Sequence, residues 1–385
     1  MGNTSRRPLR ALHGLRFFAA FHVLAFHYAP VSPGTRLAAL VSRGPCSVSL
    51  FFVLSGFVLA YNYIDPASRP RIAPWPFWGA RLARIYPVYL LGLVLGAPAF
   101  WHRVAGGAGV TWGLASGLFE IGAAVVFLAQ AWFPGAACVW NCPGWSLSAE
   151  VFFYLLFPWL AAASVVRTSR RLALSIGGWL LFGAALQAAL WLVIGREAAA
   201  HDGRCVATWL AVGTYNPVFY VHQFFVGVGV GRIFSMQEQR SSAAPWVGLS
   251  ALVGIVWILG AEWSSDAFLI ANFWLTPLFA ALVWSLASGA GPMAGALSRP
   301  ICVLLGEASY SLYLLHGPIH NVVRIAQDRW LRGVSPALVF WPYVASSVGG
   351  CVLVFLLFEE PARKRLRSRI EVWRSARGAV RPQTS

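Results

Sequence analysis

The feature that most constrains this chain is its run of long apolar stretches. About ten of them, at 11–30, 44–62, 81–101, 145–165, 172–195, 215–234, 244–262, 266–288, 300–320 and 336–358, approach the roughly 20 residues a helix needs to cross a bilayer. In lipid every backbone N–H and C=O must be satisfied internally, which favours helices over open strands. Composition agrees. The chain is 58% hydrophobic and only 11% charged, too few polar residues to clothe a water-soluble globule. A soluble enzyme, a disordered segment and a fibrous repeat are all poor readings. The expected fold is all-α: a polytopic integral membrane protein with about ten transmembrane helices, carried by residues 1–363, with 364–385 as a basic tail.

The net charge of +17 is read in that light. In a soluble protein it would suggest nucleic acid; in a membrane protein it reports the basic residues that fix orientation, so no nucleic-acid partner is expected. A further apolar stretch, 118–133, decides the topology. Counting it as a full span sets the basic tail opposite the basic N-terminus. Treating it as a re-entrant or interfacial helix on the outer side gathers most of the 30 basic residues, including Arg69, Arg71, Arg167 and Arg240, on one side. That arithmetic favours ten spans with both termini cytoplasmic, in the cell membrane. The tail, Arg363 to Arg381, reads most simply as an anchor to anionic lipid. The first stretch is a poor signal peptide, because Arg16 interrupts it and Pro30 follows the small residue Ala29. Gly227, Gly229 and Gly231 read as a close helix-packing face. The six cysteines match no zinc motif, and no metal is expected. Cys138 and Cys142 lie four apart in a loop on the expected outer side; a disulfide between them, or from one of them to Cys205 or Cys46, is open.

Ionisable side chains inside spans are costly and mark function by default. Arg16 and His27 are eleven residues apart on the first stretch, which puts them on one helix face roughly 16 Å apart along the axis. His22 falls off that face. A phosphate-bearing donor held by guanidinium forks at the inner end, with its reactive end reaching an imidazole that acts as general base, is the chemistry this spacing suits. The competing reading is a satisfied interhelical histidine and a snorkelling arginine. Arg81 and Arg84, three apart at the edge of the third stretch, form a second candidate phosphate clamp. Glu150, in Trp145-Ser-Leu-Ser-Ala-Glu150, sits one to two turns below the expected outer surface, at the depth of His27, and would orient the imidazole. His316, at the outer end of a span read from inside to outside, is placed at the same depth. Ser55 and Tyr154 are further candidates to line the substrate path.

Taken together these segments resemble acyltransferase family 3, membrane proteins that O-acylate sugars and related acceptors. The likeness spans about residues 11 to 363. It rests on Arg16 and His27, on Phe51-Phe-Val-Leu-Ser-Gly-Phe57, on Arg81 and Arg84 before Tyr86-Pro87, and on Trp145 to Glu150. Ser309-Tyr-Ser-Leu-Tyr-Leu-Leu-His316 and Glu359-Glu-Pro-Ala-Arg363 complete it. The resemblance implies a ten-helix scaffold and a catalytic histidine at His27. It also implies an acyl-CoA donor, commonly acetyl-CoA, bound as substrate rather than as a permanent cofactor and positioned by the paired arginines. Its acceptor would be a carbohydrate hydroxyl, of a surface polysaccharide or lipid-linked sugar, or alternatively of the sugar on a secreted small molecule such as a macrolide. The fused esterase-like domain of some members is not seen in this sequence, so the spans and short loops are expected to handle the acceptor. The rival from another class is a transporter or flippase, for which the sequence offers no inverted repeat.

Overall fold

The structure, a computed structural model, describes residues 6–64, 72–105, 114–163, 168–237, 241–261 and 265–379, with backbone alone at 114–116, 162–163, 265–272 and 371–379. Arg69, Arg71, Arg167 and Arg240 lie outside the described residues. The elements are all helical: α1 (Arg10–Tyr28), α2 (Arg36–Ser42), α3 (Cys46–Tyr63), α4 (Pro74–Ala105), α5 (Leu114–Val126), α6 (Gly144–Ala163), α7 (Ser169–Ala199) and α8 (Gly203–Tyr215). The second half comprises α9 (Val221–Met236), α10 (Ala244–Gly260), α11 (Ser265–Ser288), α12 (Gly291–Leu297), α13 (Pro300–Trp330), α14 (Pro336–Val354) and α15 (Glu360–Ala379).

The expectation of about ten spans is corrected. Among the described residues, five helices are long and apolar enough to cross a membrane: α3, α4, α7, Pro217–Met236 and Pro336–Ile370. A sixth exists if Phe273–Ser288 and α12, bent by 79°, form one broken span. The chain is thus an all-α polytopic membrane protein, with five or six long apolar helices among the described residues. The overcount has a physical origin. Window counting accepted α1 and α13 as spans, yet α1 carries Arg16 and three histidines beyond it or before it, and α13 carries Glu307, His316, His320 and Arg324. Those side chains lower the helices' apolarity. At 17 residues, α10 is short for a crossing. The stretch 118–133 does not form a full span either. It divides into the 13-residue α5 and a 3₁₀ turn, Gln130–Trp132, of which Gln130 and Ala131 are buried.

Two close helix pairs organise the core. α3 lies against α9, where Gly56, Gly227 and Gly231 let the backbones touch; a Cβ at any of them would strike a carbonyl of the partner helix. Gly229 faces the other way, onto Ile176 of α7. α1 runs beside α13 in the same direction, and Gly306 leaves room for the His13 carbonyl. This small-residue contact is the usual device for close helix approach in lipid. Aromatic side chains fill the space between α3, α6 and α9, with Phe52, Phe153 and Phe224 in edge and stacked contact. Around Val126–Pro143 the chain folds back into the bundle. Tyr89 donates to the Val125 carbonyl, and the Gln130 amide donates to Tyr89 and to the Gly144 carbonyl. Asn141 donates to the Leu314 carbonyl at 3.0 Å. The start of α6 therefore sits inside the bundle, level with the middle of α13.

Candidate active site

Two separate cavities share the α1–α13 pair. The first is a narrow slot of about 80 Å³ lined by Arg16, Ser55, Arg81, Arg84, Glu150, Tyr154 and Tyr310 among others. Arg16 comes from α1, Ser55 from α3, the two clamp arginines from α4, Glu150 and Tyr154 from α6. Glu150 accepts hydrogen bonds from Ser55 Oγ at 2.8 Å and from the Tyr154 hydroxyl at 2.5 Å. Its carboxylate supplies negative charge beside three guanidinium groups, which lowers the cost of holding them in a low-dielectric interior. Arg81 donates to Tyr63 at 3.2 Å and lies over the Tyr63 and Phe77 rings. Arg16 and Arg81 each keep a buried Nε–H without a partner among the described residues. Such orphaned donors are rare in folded proteins and suit an anionic ligand.

The slot adjoins two wider, basic chambers. One of about 640 Å³ lies between α4 and α15 and shares Arg81 and Arg84 with the slot. The other, about 320 Å³, shares Arg16, Arg84 and Tyr310 with it and is also lined by Arg6, His13, Glu359 and Arg363. Arg84 faces all three. Glu359 is buried at the end of a π-helical turn, Phe355–Glu359, and accepts from Ser311 Oγ at 2.6 Å. That turn rotates the chain by one extra residue and points a carboxylate inward where a regular helix would not.

The second cavity, about 120 Å³, lies at the other end of the pair and is lined by His27, Tyr28, Arg103, Asn141, His316 and Asn321 among others. The His27 and His316 rings are 5.1 Å apart. His27 Nδ1 is 2.9 Å from the Val23 carbonyl and His316 Nδ1 is 3.1 Å from the Leu312 carbonyl. A carbonyl can only accept, so each Nδ1 carries the proton when the ring is neutral and each Nε2 keeps its lone pair. This is the tautomer a general base needs. Tyr28 stacks on His320 at 3.6 Å and meets Tyr343 edge-on. Cys138 and Cys142 are joined in a disulfide, while Cys46 and Cys205 are free. Arg103 donates to the carbonyls of Val139 and Trp140, fastening the same loop over the cavity.

The structure thus brings together Arg16, Arg81, Arg84, Glu150, Tyr154 and Ser55 at one end, and His27 with His316 at the other. It does not bring Glu150 to His27; the two line different cavities. His22 is fully engaged, by Ser47 Oγ and the Leu40 carbonyl, both at 2.9 Å. Between the cavities stands Tyr313. It lines the slot, shares a 2.8 Å hydrogen bond with Ser146, and its ring is 6.4 Å from that of His316. Sequence reasoning assigned no role to His13, Tyr28, Tyr310, Tyr313 or His320. The tyrosines and His320 occur in apolar helix sequence beside recognised residues, which was the available signal. Among the described residues one trio, Glu197, Asp202 and Cys205, has ligand atoms within 4.8 Å of one another; it belongs to the α7–α8 corner and to neither cavity.

Comparison with known proteins bears directly on this arrangement. Residues 9–356 match the family described as an acyltransferase domain. The chain is 35% identical over 161 residues to acyltransferase MdmB of Streptomyces mycarofaciens, covering 39% of this chain and 38% of that protein, well under two thirds of its length. It is 29% identical over 336 residues to the exopolysaccharide production protein ExoZ of Rhizobium meliloti, covering 85% of this chain and 92% of that one. Nodulation protein 10 of Rhizobium leguminosarum bv. viciae is 26% identical over 386 residues, with 91% and 92% covered. No solved structure matches. With nearly the whole bundle inside the family match, and both cavities built from matched residues, the chain belongs to the acyltransferase 3 family of membrane acyltransferases.

Proposed function

We propose that this acyltransferase takes an acyl group, acetyl as the first expectation, from acyl-CoA at the arginine end and delivers it to a sugar hydroxyl at the histidine end. The single observation behind this reading is the geometry of α1. One helix carries an arginine into a phosphate-suited slot and a histidine, with a free Nε2, into a second cavity about three turns away. The separation, roughly 16 Å, suits a donor whose charged head and reactive end are far apart, as in a CoA thioester with its extended pantetheine arm.

The chemistry follows from the tautomer. His27 Nε2 accepts the proton of the acceptor hydroxyl as that oxygen attacks the thioester carbonyl. The tetrahedral intermediate collapses with loss of the CoA thiolate, which takes up the proton from the imidazolium. An ester forms and a thioester breaks, with no net change in protons. Arg16, Arg81 and Arg84 hold the donor's phosphates, and Glu150 balances and positions the guanidinium groups. Ser55 and Tyr154, both tied to Glu150, line the donor path. His316 and Tyr28 shape the acceptor side. The arginine end would face the cytoplasm, where acyl-CoA is made and where basic residues concentrate in inner-membrane proteins.

A polysaccharide or lipid-linked sugar is the favoured acceptor, supported by the relative named for exopolysaccharide production, which aligns over most of both chains. The test is incubation of the purified full chain with acetyl-CoA and candidate glycans, following CoA release and acceptor mass. Acceptor-dependent CoA release with an added acetyl mass is expected from the wild type and not from His27→Ala. Equal turnover in that variant would overturn the mechanism.

A further inference from the structure

The basic C-terminal helix, α15, lines the chamber that shares Arg81 and Arg84 with the slot. α15 packs along α4, and Gly79 of α4 makes the approach close: a Cβ there would meet Ile370 Cδ1 at 3.4 Å. The packed face presents Arg363, Lys364 and Arg367 to the chamber of about 640 Å³, opposite Arg81 and Arg84. Residues 363, 367 and 370 are spaced i, i+4, i+7, so they form one helix face. Arg365 and Arg369 lie on the far, exposed side. The family match ends at residue 356, so all of these α15 residues lie beyond it.

Size and charge together select the ligand. The slot of about 80 Å³ admits only a slim chain, whereas the chamber beside it, sharing Arg81 and Arg84, is several times larger and lined by cations on two helices. A ligand that fits both has a slender tail and a bulky, multiply phosphorylated head. We propose that Arg363 and Arg367 of α15 complete a phosphate site with Arg81 and Arg84, and that it holds the 3′-phosphorylated adenosine head of the donor. This rests on the donor reading above. The helix then acts as one wall of the donor site, and the 3′-phosphate is the group its arginines recognise.

Calorimetric titration of the detergent-purified full chain with CoA and with 3′-dephospho-CoA tests the assignment. The wild type should bind CoA more tightly by about tenfold, the value of a lost charge-assisted pair. Arg363→Ala/Arg367→Ala should bind the two ligands alike, and Arg363→Lys/Arg367→Lys should regain part of the preference, which guards against a folding defect. Arg365→Ala/Arg369→Ala removes the same charge from the other face and should keep the preference. A preference undiminished in the first variant, absent from the wild type, or lost equally in the far-face variant would overturn the site. The last result would point to bulk charge or lipid attraction. If CoA binds with these preferences while no acyl transfer occurs, the transfer reading fails and the site stands. If transfer occurs with no role for the 3′-phosphate, the reverse holds.

Discussion

The two ends of the α1–α13 pair solve opposite problems. The arginine end is broad and cationic, with three adjoining cavities, buried N–H groups of Arg6, Arg16 and Arg81 that have no partner among the described residues, a half-buried carboxylate at Glu150 and a buried one at Glu359. Such a set of cations suits a polyanion. The histidine end is small and aromatic, roofed by a loop that Arg103 and the Cys138–Cys142 disulfide fasten. Tyr313, hydrogen-bonded to Ser146, stands between them. The difference shows that one helix pair can carry a cationic site at one end and an aromatic, imidazole-bearing one at the other.

Perturbing each end should therefore leave a distinct signature. The largest effect is expected from His27→Ala, which removes the general base and should lower turnover by about 10²–10⁴-fold. Among the described residues His27 hydrogen-bonds only to the Val23 carbonyl of its own helix, so the melting temperature should change little. His22→Ala is the contrast: it strips two tertiary hydrogen bonds, worth about 1–3 kcal/mol in all, and should lower thermal stability while the folded fraction keeps its turnover. Arg16→Ala comes next. The donor KM should rise about tenfold or more with acceptor KM unchanged, as steady-state kinetics at varied acetyl-CoA would show. A rise in acceptor KM instead would break the division between the ends.

Smaller effects should sharpen it. Tyr28→Ala removes the ring stacked on His320 and should raise acceptor KM by about three- to tenfold, leaving donor KM alone. The smallest change is expected for Cys138→Ser/Cys142→Ser. The disulfide closes only a short loop, so its entropic contribution is limited, and a slight rise in acceptor KM is the expected outcome. If donor kinetics moved instead, the loop would belong to the other end.

Much of the site was legible in the sequence because charge in apolar helices is informative by itself. Arg16, Arg81 and Arg84 were grouped by helical spacing and expected position, and the slot contains all three. The partner of His27 was harder. Counting residues down from the start of α6 places Glu150 at the depth of His27 only if α6 begins at the membrane surface. In the structure the preceding loop is folded into the bundle, with Gln130 2% and Asn141 8% exposed, so α6 begins deeper and Glu150 reaches the arginines. Depth along one helix is fixed by its own rise per residue; the offset between helices is set by loops, whose burial has no sequence period. The number of spans failed for a related reason. A hydropathy window treats α1 and α13 as apolar runs, yet these helices carry the polar side chains of the site and lie packed among their neighbours.

The central claim is that donor and acceptor meet from opposite ends of one bundle. Sealed proteoliposomes of uniform protein orientation test it most directly. Acetyl-CoA is supplied on the side exposing α15, and an oligosaccharide of the producing cell's own surface polysaccharide is enclosed on the other. Acetylated oligosaccharide in the opposite compartment, absent with His27→Ala, is the predicted result. Acetylation only when both reactants share one compartment would contradict the account.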